Sequence, residues 1–265
     1  MGFLEAIVLG ITQGIAEWIP ISSEGLIVLL GVNFFDGVTA TELIRLALYL
    51  HMGTFLAALI YFRKDVWRLT KQLFNYKKTN KETKKLLNFY IIATLVSGGV
   101  GFLILKAIEE LEAWVDLTTK GILITLGILL LATGFVQLRR RGGGERSLID
   151  LKPSDGVIAG IAQGISALPG VSRSGLTIST LLLRRLGETH ALKMSFIMSL
   201  PVVLAGNILL NTSRFALTLE SFVSLLLAFG FGFLTIHFLL KVAERFQFGW
   251  FVIFFGVLVL GSIFI

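Results

Sequence analysis

Apolar runs of about 20 residues recur along this chain with their charges gathered at the ends, which is the length a helix needs to cross roughly 30 Å of hydrocarbon. Six such runs, about 41–62, 86–106, 117–138, 188–211, 217–240 and 247–265, predict transmembrane helices. With 55% hydrophobic residues, 15% charged residues and a mean hydropathy of +0.83, a water-soluble fold is excluded. The fold class is therefore all-α and polytopic. No cysteine is present, so disulfides, thiolate metal ligands and a cysteine nucleophile play no part. Met1-Gly2-Phe3-Leu4-Glu5 lacks the basic stretch of a cleavable signal, and the chain is expected to keep its N-terminus.

Two further apolar segments, about 3–32 and 154–185, are broken in the middle by Trp18-Ile19-Pro20-Ile21-Ser22-Ser23-Glu24-Gly25 and Leu168-Pro169-Gly170-Val171-Ser172-Arg173-Ser174-Gly175. Proline, glycine and charge at mid-depth argue against plain spans. The two segments also match at a constant offset of 150: Gly10-Ile11 with Gly160-Ile161, Gln13-Gly14-Ile15 with Gln163-Gly164-Ile165, and Ser22, Gly25 and Leu26 with Ser172, Gly175 and Leu176. An internal repeat follows, with repeat one at about 1–110 and repeat two at about 150–265 in a single membrane domain. If each broken segment is a re-entrant helical hairpin, three spans separate the copies, and the odd number inverts the second. The competing explanation is two ordinary spans with proline kinks.

Charge sets the expected orientation. A net charge of +7 reflects positive residues in short loops between spans, a topology signal rather than a nucleic-acid surface. The loop expected from Arg63 to Lys85 holds nine Lys and Arg, and the linker after Gln137 holds Arg139, Arg140, Arg141, Arg146 and Lys152. Both are placed in the cytoplasm, whereas the turn with Glu109, Glu110, Glu112 and Asp116 is placed outside. Both termini then come out extracytoplasmic, the hairpins enter from opposite faces, and their tips meet near the midplane. In inverted-repeat membrane proteins the binding site forms there, with half-helix N-termini aimed at anionic groups.

Glu17 and Arg173 are the residues hardest to explain without function, because a charge at mid-membrane costs about 2.5 to 3.5 kcal/mol on insertion scales. Mutual pairing is one explanation. It leaves unexplained the hydroxyls beside them, Ser22 and Ser23 at one tip and Ser172, Ser174 and Thr177 at the other. Each cluster follows a proline turn and opens an apolar helix, where free N–H groups attract phosphate, and Arg173 adds a fork of donors that fits phosphate oxygens. Ser22 and Ser172 serve equally well as N-caps. Gln13 and Glu17 are one helical turn apart and share a face, an oxygen pair suited to Mg²⁺ or Ca²⁺. Glu24 lies in a first helical turn, favourable to the dipole or available to a ligand. His51, His190 and His237 fall outside the two tips, and such lone histidines are more often packing residues; His51, beside Met52-Gly53-Thr54, is the one worth testing.

Gln13-Gly14-Ile15-Ala16-Glu17-Trp18-Ile19-Pro20-Ile21-Ser22-Ser23, together with Pro169-Gly170-Val171-Ser172-Arg173-Ser174-Gly175-Leu176-Thr177, resembles the undecaprenyl pyrophosphate phosphatases of the bacitracin-resistance type. The likeness covers nearly the whole chain. It implies a multi-pass plasma-membrane enzyme that removes the terminal phosphate of a polyprenyl diphosphate and recycles the lipid carrier for cell-surface glycans. On that resemblance Glu17, Ser23, Arg173 and Ser172 carry the chemistry. Gln13, Ser22, Glu24, Gly170, Ser174 and Thr177 hold the substrate, and Gln13 with Glu17 holds a divalent cation, Mg or Ca. Its expected partners are the lipid and the bilayer, with self-association as a homodimer allowed for. Many relatives carry a histidine where this chain has Leu26, so a histidine base does not transfer, and Glu17 or Glu24 is left to orient water or activate a serine. A different class remains open, a transporter of polyprenyl phosphate or a related anionic lipid, for which an inverted repeat also speaks.

Overall fold

A computed structural model describes residues 2–19, 21–35, 37–112, 119–138, 146–168, 171–211, 218–242 and 248–261. Among them the chain forms eleven α-helices and no β-strand. They are α1 (Phe3–Ala16), α2 (Ser23–Phe34), α3 (Ala40–Tyr61), α4 (Arg63–Phe74), α5 (Lys81–Glu112), α6 (Thr119–Leu138), α7 (Pro153–Ile165), α8 (Arg173–Leu183), α9 (Glu188–Asn211), α10 (Leu219–Val242) and α11 (Phe248–Gly261). Four are long and apolar enough to cross a membrane, at Glu42–Tyr61, Lys81–Ala107, Glu188–Leu209 and Leu219–Lys241. The chain is a multi-pass helical membrane protein. Gly170, Asp116, Arg139, Arg140 and Arg141, together with the side chains of Glu109, Glu110 and Glu112, lie outside the described residues.

Each interrupted segment becomes two short helices around a break, α1 with α2 and α7 with α8. The breaks restart in the same way. Ser22 and Ser172 adopt extended backbone, and their Oγ atoms accept from the N–H groups of Gly25 (3.1 Å) and Gly175 (3.0 Å). A serine cap satisfies one of the donors that a new helix leaves free.

The helices before the breaks pack crosswise: α1 lies on α10, and α7 lies on α5. Small residues one turn apart make both seams. A Cβ on Gly10 would stand 2.4 Å from the Ser224 carbonyl oxygen, and one on Gly14 2.8 Å from that of Ala228. At the matching positions, a Cβ on Gly160 would stand 2.8 Å from the Ala93 carbonyl oxygen, and one on Gly164 2.6 Å from Val100. Helices in lipid associate by such close backbone approach, since burial of apolar surface gains little there. Against the other side of each hairpin stand α3 and α9, which also pack on each other. Trp18, Phe89, Phe196 and Leu181 are buried in one core cluster, and Leu9, Ile27, Leu43 and Leu50 in a second.

The stretch from Arg63 to Lys85 is not the loop expected of it. The helix of α3 breaks at Phe62 (φ −95°, ψ 16°), and the chain turns at once into α4, with a 3₁₀ turn at Tyr76–Lys78 before α5. Charge density hid a helical pattern. Val66, Leu69 and Leu73 recur at helical spacing, Asp65 and Lys71 complement the two ends of the dipole, and Leu69 is buried.

The foot of the second hairpin is tied by ions. Asp155 is fully buried and accepts from Arg146 Nη2 (2.6 Å), Arg184 Nε (2.7 Å) and the Lys152 N–H (2.8 Å). Burial works against its charged form, but these donors outweigh it and hold the carboxyl at about 2.

Candidate functional site

The two breaks meet. Ser174 Oγ, in the first turn of α8, donates to the Ile19 carbonyl at 3.0 Å, and the buried Trp18 ring meets Phe196 of α9 edge-on, centroids 4.8 Å apart. Between the breaks lies Glu17, the C-terminal cap of α1 and only 5% exposed.

Glu17 gathers four groups from four helices. From α1 itself, Gln13 Nε2 donates to Oε2 at 2.9 Å, as the one-turn spacing predicted. Ser23, the first residue of α2, donates Oγ–H to the same oxygen at 2.9 Å. Arg173, the first residue of α8, pairs through Nη2 with Oε1. His51 of α3 brings Nε2 to 3.1 Å from Oε2, while its Nδ1 stands 2.6 Å from the Ala47 carbonyl. Burying charges is unfavourable unless they are paired and hydrogen-bonded, and here the carboxylate has both kinds of partner. Arg173 also lies over the Trp18 ring, its Cζ 5.8 Å from the centroid.

Pairing between Glu17 and Arg173 is therefore real, yet it leaves polar atoms over. Five buried side-chain atoms lack a partner among the described residues, and three belong here: Gln13 Oε1, Trp18 Nε1 and Arg173 Nη1. Folded proteins leave few such atoms; Gln13 Oε1 and Arg173 Nη1 belong to residues bonded to Glu17, whereas Trp18 Nε1 lies against Gly232 of α10 beside Thr54 and Ala57 of α3. Arg173 Nη1 is a charged donor left without an acceptor beside the carboxylate.

The hydroxyls divide by use. Ser23 sits on the carboxylate. Ser22 and Ser172 cap their helices, with Ser172 Oγ also 3.5 Å from Ser174 Oγ. Thr177 turns into the protein, donating to the Arg173 carbonyl (2.8 Å) and meeting Ser195 Oγ at 2.5 Å. Glu24 stands in the first turn of α2, half-buried.

His51, the histidine that the sequence marks for testing but places outside the tips, belongs to the cluster. Of the histidines expected outside the tips, His237 does stand apart, bonded to Tyr61 at 3.2 Å. His51 instead reaches the centre, because α3 packs alongside the first hairpin. Nothing in its local sequence announces this, since the contact joins residues 34 apart in the chain. Gln163, the repeat partner of Gln13, is not brought to the cluster; its Nε2 donates to Ser97 Oγ (3.2 Å) and the Met198 carbonyl (3.3 Å).

Four helices thus meet at a buried carboxylate–guanidinium–imidazole cluster, in a chain whose apolar helices make it a multi-pass membrane protein. The chain belongs to the bacitracin resistance protein BacA family, whose pattern it matches over residues 6–262. It is 40% identical to the undecaprenyl-diphosphatase of Methanococcoides burtonii over 259 residues, 96% of each chain. It is 36% identical to that of Methanothrix thermoacetophila over 98% of this chain and 96% of the relative, and 36% to that of Haloarcula marismortui over 92% and 91%.

Proposed function

We propose that this protein hydrolyses a polyprenyl diphosphate of the undecaprenyl type to the monophosphate and inorganic phosphate, in the plasma membrane. The observation that carries this is the unpartnered donor Arg173 Nη1, on a guanidinium paired with the same carboxylate that holds the Ser23 hydroxyl. The names of the relatives support the same reaction.

In this reading the diphosphate lies across the N-terminal ends of α2 and α8, where dipole and free N–H groups favour an anion. Arg173 binds the terminal phosphate and neutralises charge that develops on it. Ser23 Oγ attacks the terminal phosphorus; the new O–P bond replaces the anhydride O–P bond, and the polyprenyl monophosphate leaves. Glu17, already accepting from Ser23, takes the serine proton. Glu17 passes that proton to the leaving monophosphate oxygen. As base again it takes a proton from water, whose oxygen forms the new P–O bond as the Ser23 O–P bond breaks, and returns the proton to Ser23 Oγ. His51 holds Glu17 in place.

A divalent cation, Mg or Ca, fits this pocket only as a companion of the lipid. Among the described residues no three His, Cys, Asp or Glu come together as ligands, and both Glu17 oxygens are engaged. Gln13 Oε1 is buried and free to coordinate, so Gln13 and Glu17 would hold the ion with diphosphate oxygens completing its shell. When bound it would neutralise the diphosphate.

The architecture we infer is six spans with two re-entrant hairpins, α1–α2 and α7–α8, in repeats of inverted topology over about 1–110 and 150–265. The crosswise glycine seams and twin serine caps support it. The test is phosphate release from a long-chain polyprenyl diphosphate by purified protein in detergent, with and without Mg²⁺ or Ca²⁺. Release abolished by Arg173→Ala and Glu17→Ala is expected. A folded protein that binds the lipid and releases nothing would overturn the proposal.

A further inference from the structure

Helix α4 carries a surface that the intramembrane site does not use. Its inner side is docked: Leu69 is buried, and Asp65 pairs with Lys193 of α9 at 2.8 Å. Its outer side exposes Trp67 (72%) and Phe74 (85%), seven residues apart and so on one line of the helix. Lys64 and Lys71, also seven apart, run beside that line, and neither forms an ion pair among the described residues. A tryptophan and a phenylalanine facing water in the most basic part of the chain are unfavourable unless something covers them.

We propose that this outer side of α4 is an interfacial membrane anchor that binds anionic lipid headgroups on the side of the bilayer where the basic segments lie. Position limits the occupant. Only Phe62 separates α4 from the membrane-crossing α3, so the helix emerges at the depth of the headgroups. Tryptophan at such depth places its apolar ring among the acyl carbons with its N–H toward water, and lysine stems reach past it to phosphate. The chemistry is that of a basic amphipathic helix lying in the interface, with aromatic residues inserted and cations on anionic lipid. Asp65, the one acid of the helix, is taken up by Lys193 (2.8 Å) and by Arg68 (3.2 Å), which leaves Lys64 and Lys71 as the charges beside the aromatic line.

The test uses the full chain in nanodiscs of phosphatidylcholine and phosphatidylglycerol, with bromine atoms high on the acyl chain of one lipid or the other. The difference in fluorescence between the wild type and Trp67→Phe isolates Trp67 from Trp18, Trp114 and Trp250. Trp67 is expected to be quenched by both brominated lipids and several-fold more by the anionic one. That preference should fall with each lysine removed in Lys64→Gln and Lys71→Gln, approach parity in the double variant, and collapse at high salt. Equal quenching by the two lipids at low salt would overturn the anionic preference. Quenching of Trp67 by aqueous iodide and by neither lipid would overturn the anchor altogether and assign the surface to a soluble protein. All these residues are exposed, so the variants lose no core contact, and hydrolysis of the lipid diphosphate need not be assayed.

Discussion

The two broken hairpins are built alike and charged differently. Ser22 and Ser172 cap onto Gly25 and Gly175 within a tenth of an ångström of each other, and Gly10 with Gly14 repeats as Gly160 with Gly164. At the same offset, Glu17 is matched by Ala167 and Ser23 by Arg173. One hairpin supplies the carboxylate and the hydroxyl, the other the guanidinium. The two matching breaks bring helix N-termini to both sides of the cluster, and divergence at two positions sets a carboxylate on one side and a guanidinium on the other.

That division is broken most sharply at the charges. Arg173→Ala should lower phosphate release by about a hundredfold to a thousandfold, as loss of a transition-state donor does, and Arg173→Lys should restore little because a single ammonium lacks the fork. Glu17→Gln should lose as much, whereas Ala167→Ser at the matching position should leave turnover close to normal.

The feet of the hairpins differ too. Asp155 is buried under Arg146 and Arg184, while its counterpart Glu5 is half-buried and accepts from the Gly2 N–H at 2.7 Å. Asp155→Ala leaves two arginines without their acid and should cost about 3–5 kcal/mol, read as a fall in melting temperature; Glu5→Ala should cost under about 0.5 kcal/mol. The carboxyl is held at about 2 against an ordinary 3.8, so its contribution is complete above pH 4 and disappears as pH falls toward 2. Unfolding measured between pH 5 and 7 should show no slope from this group.

Smaller effects sharpen the likeness. Gly10→Ala and Gly160→Ala crowd equivalent seams and should each cost about 1–3 kcal/mol; a large gap between them would show that the seams are not equivalent. His51→Ala should reduce kcat by about ten- to a hundredfold with KM little changed, and His51→Gln, which keeps a donor toward Glu17, should recover part of it. Smallest, Ser22→Ala and Ser172→Ala each remove a cap worth about 1 kcal/mol, and the loss of activity should be far less than for Ser23→Ala.

Hydropathy by itself determined that this chain lives in a bilayer, because no other solvent tolerates so many apolar runs of that length. Its repeat located the two breaks, and buried charge singled out Glu17 and Arg173, since ions at such depth are too costly to be incidental. What only the tertiary structure decided was how these pieces are used. Helical spacing showed that Gln13 could meet Glu17, but His51 entered the cluster through the packing of α3, which no local pattern encodes. Along the chain Ser22 and Ser172 fitted caps or ligands alike; three dimensions assigned them to caps, Thr177 to the α9 contact, Ser174 to the Ile19 carbonyl and Ser23 to the carboxylate. The basic stretch read as a loop is α4, because its charge masked a short apolar stripe that matters only once α9 offers Lys193 to Asp65. Side-chain chemistry is written locally, but its partners are chosen by helices far apart in the chain.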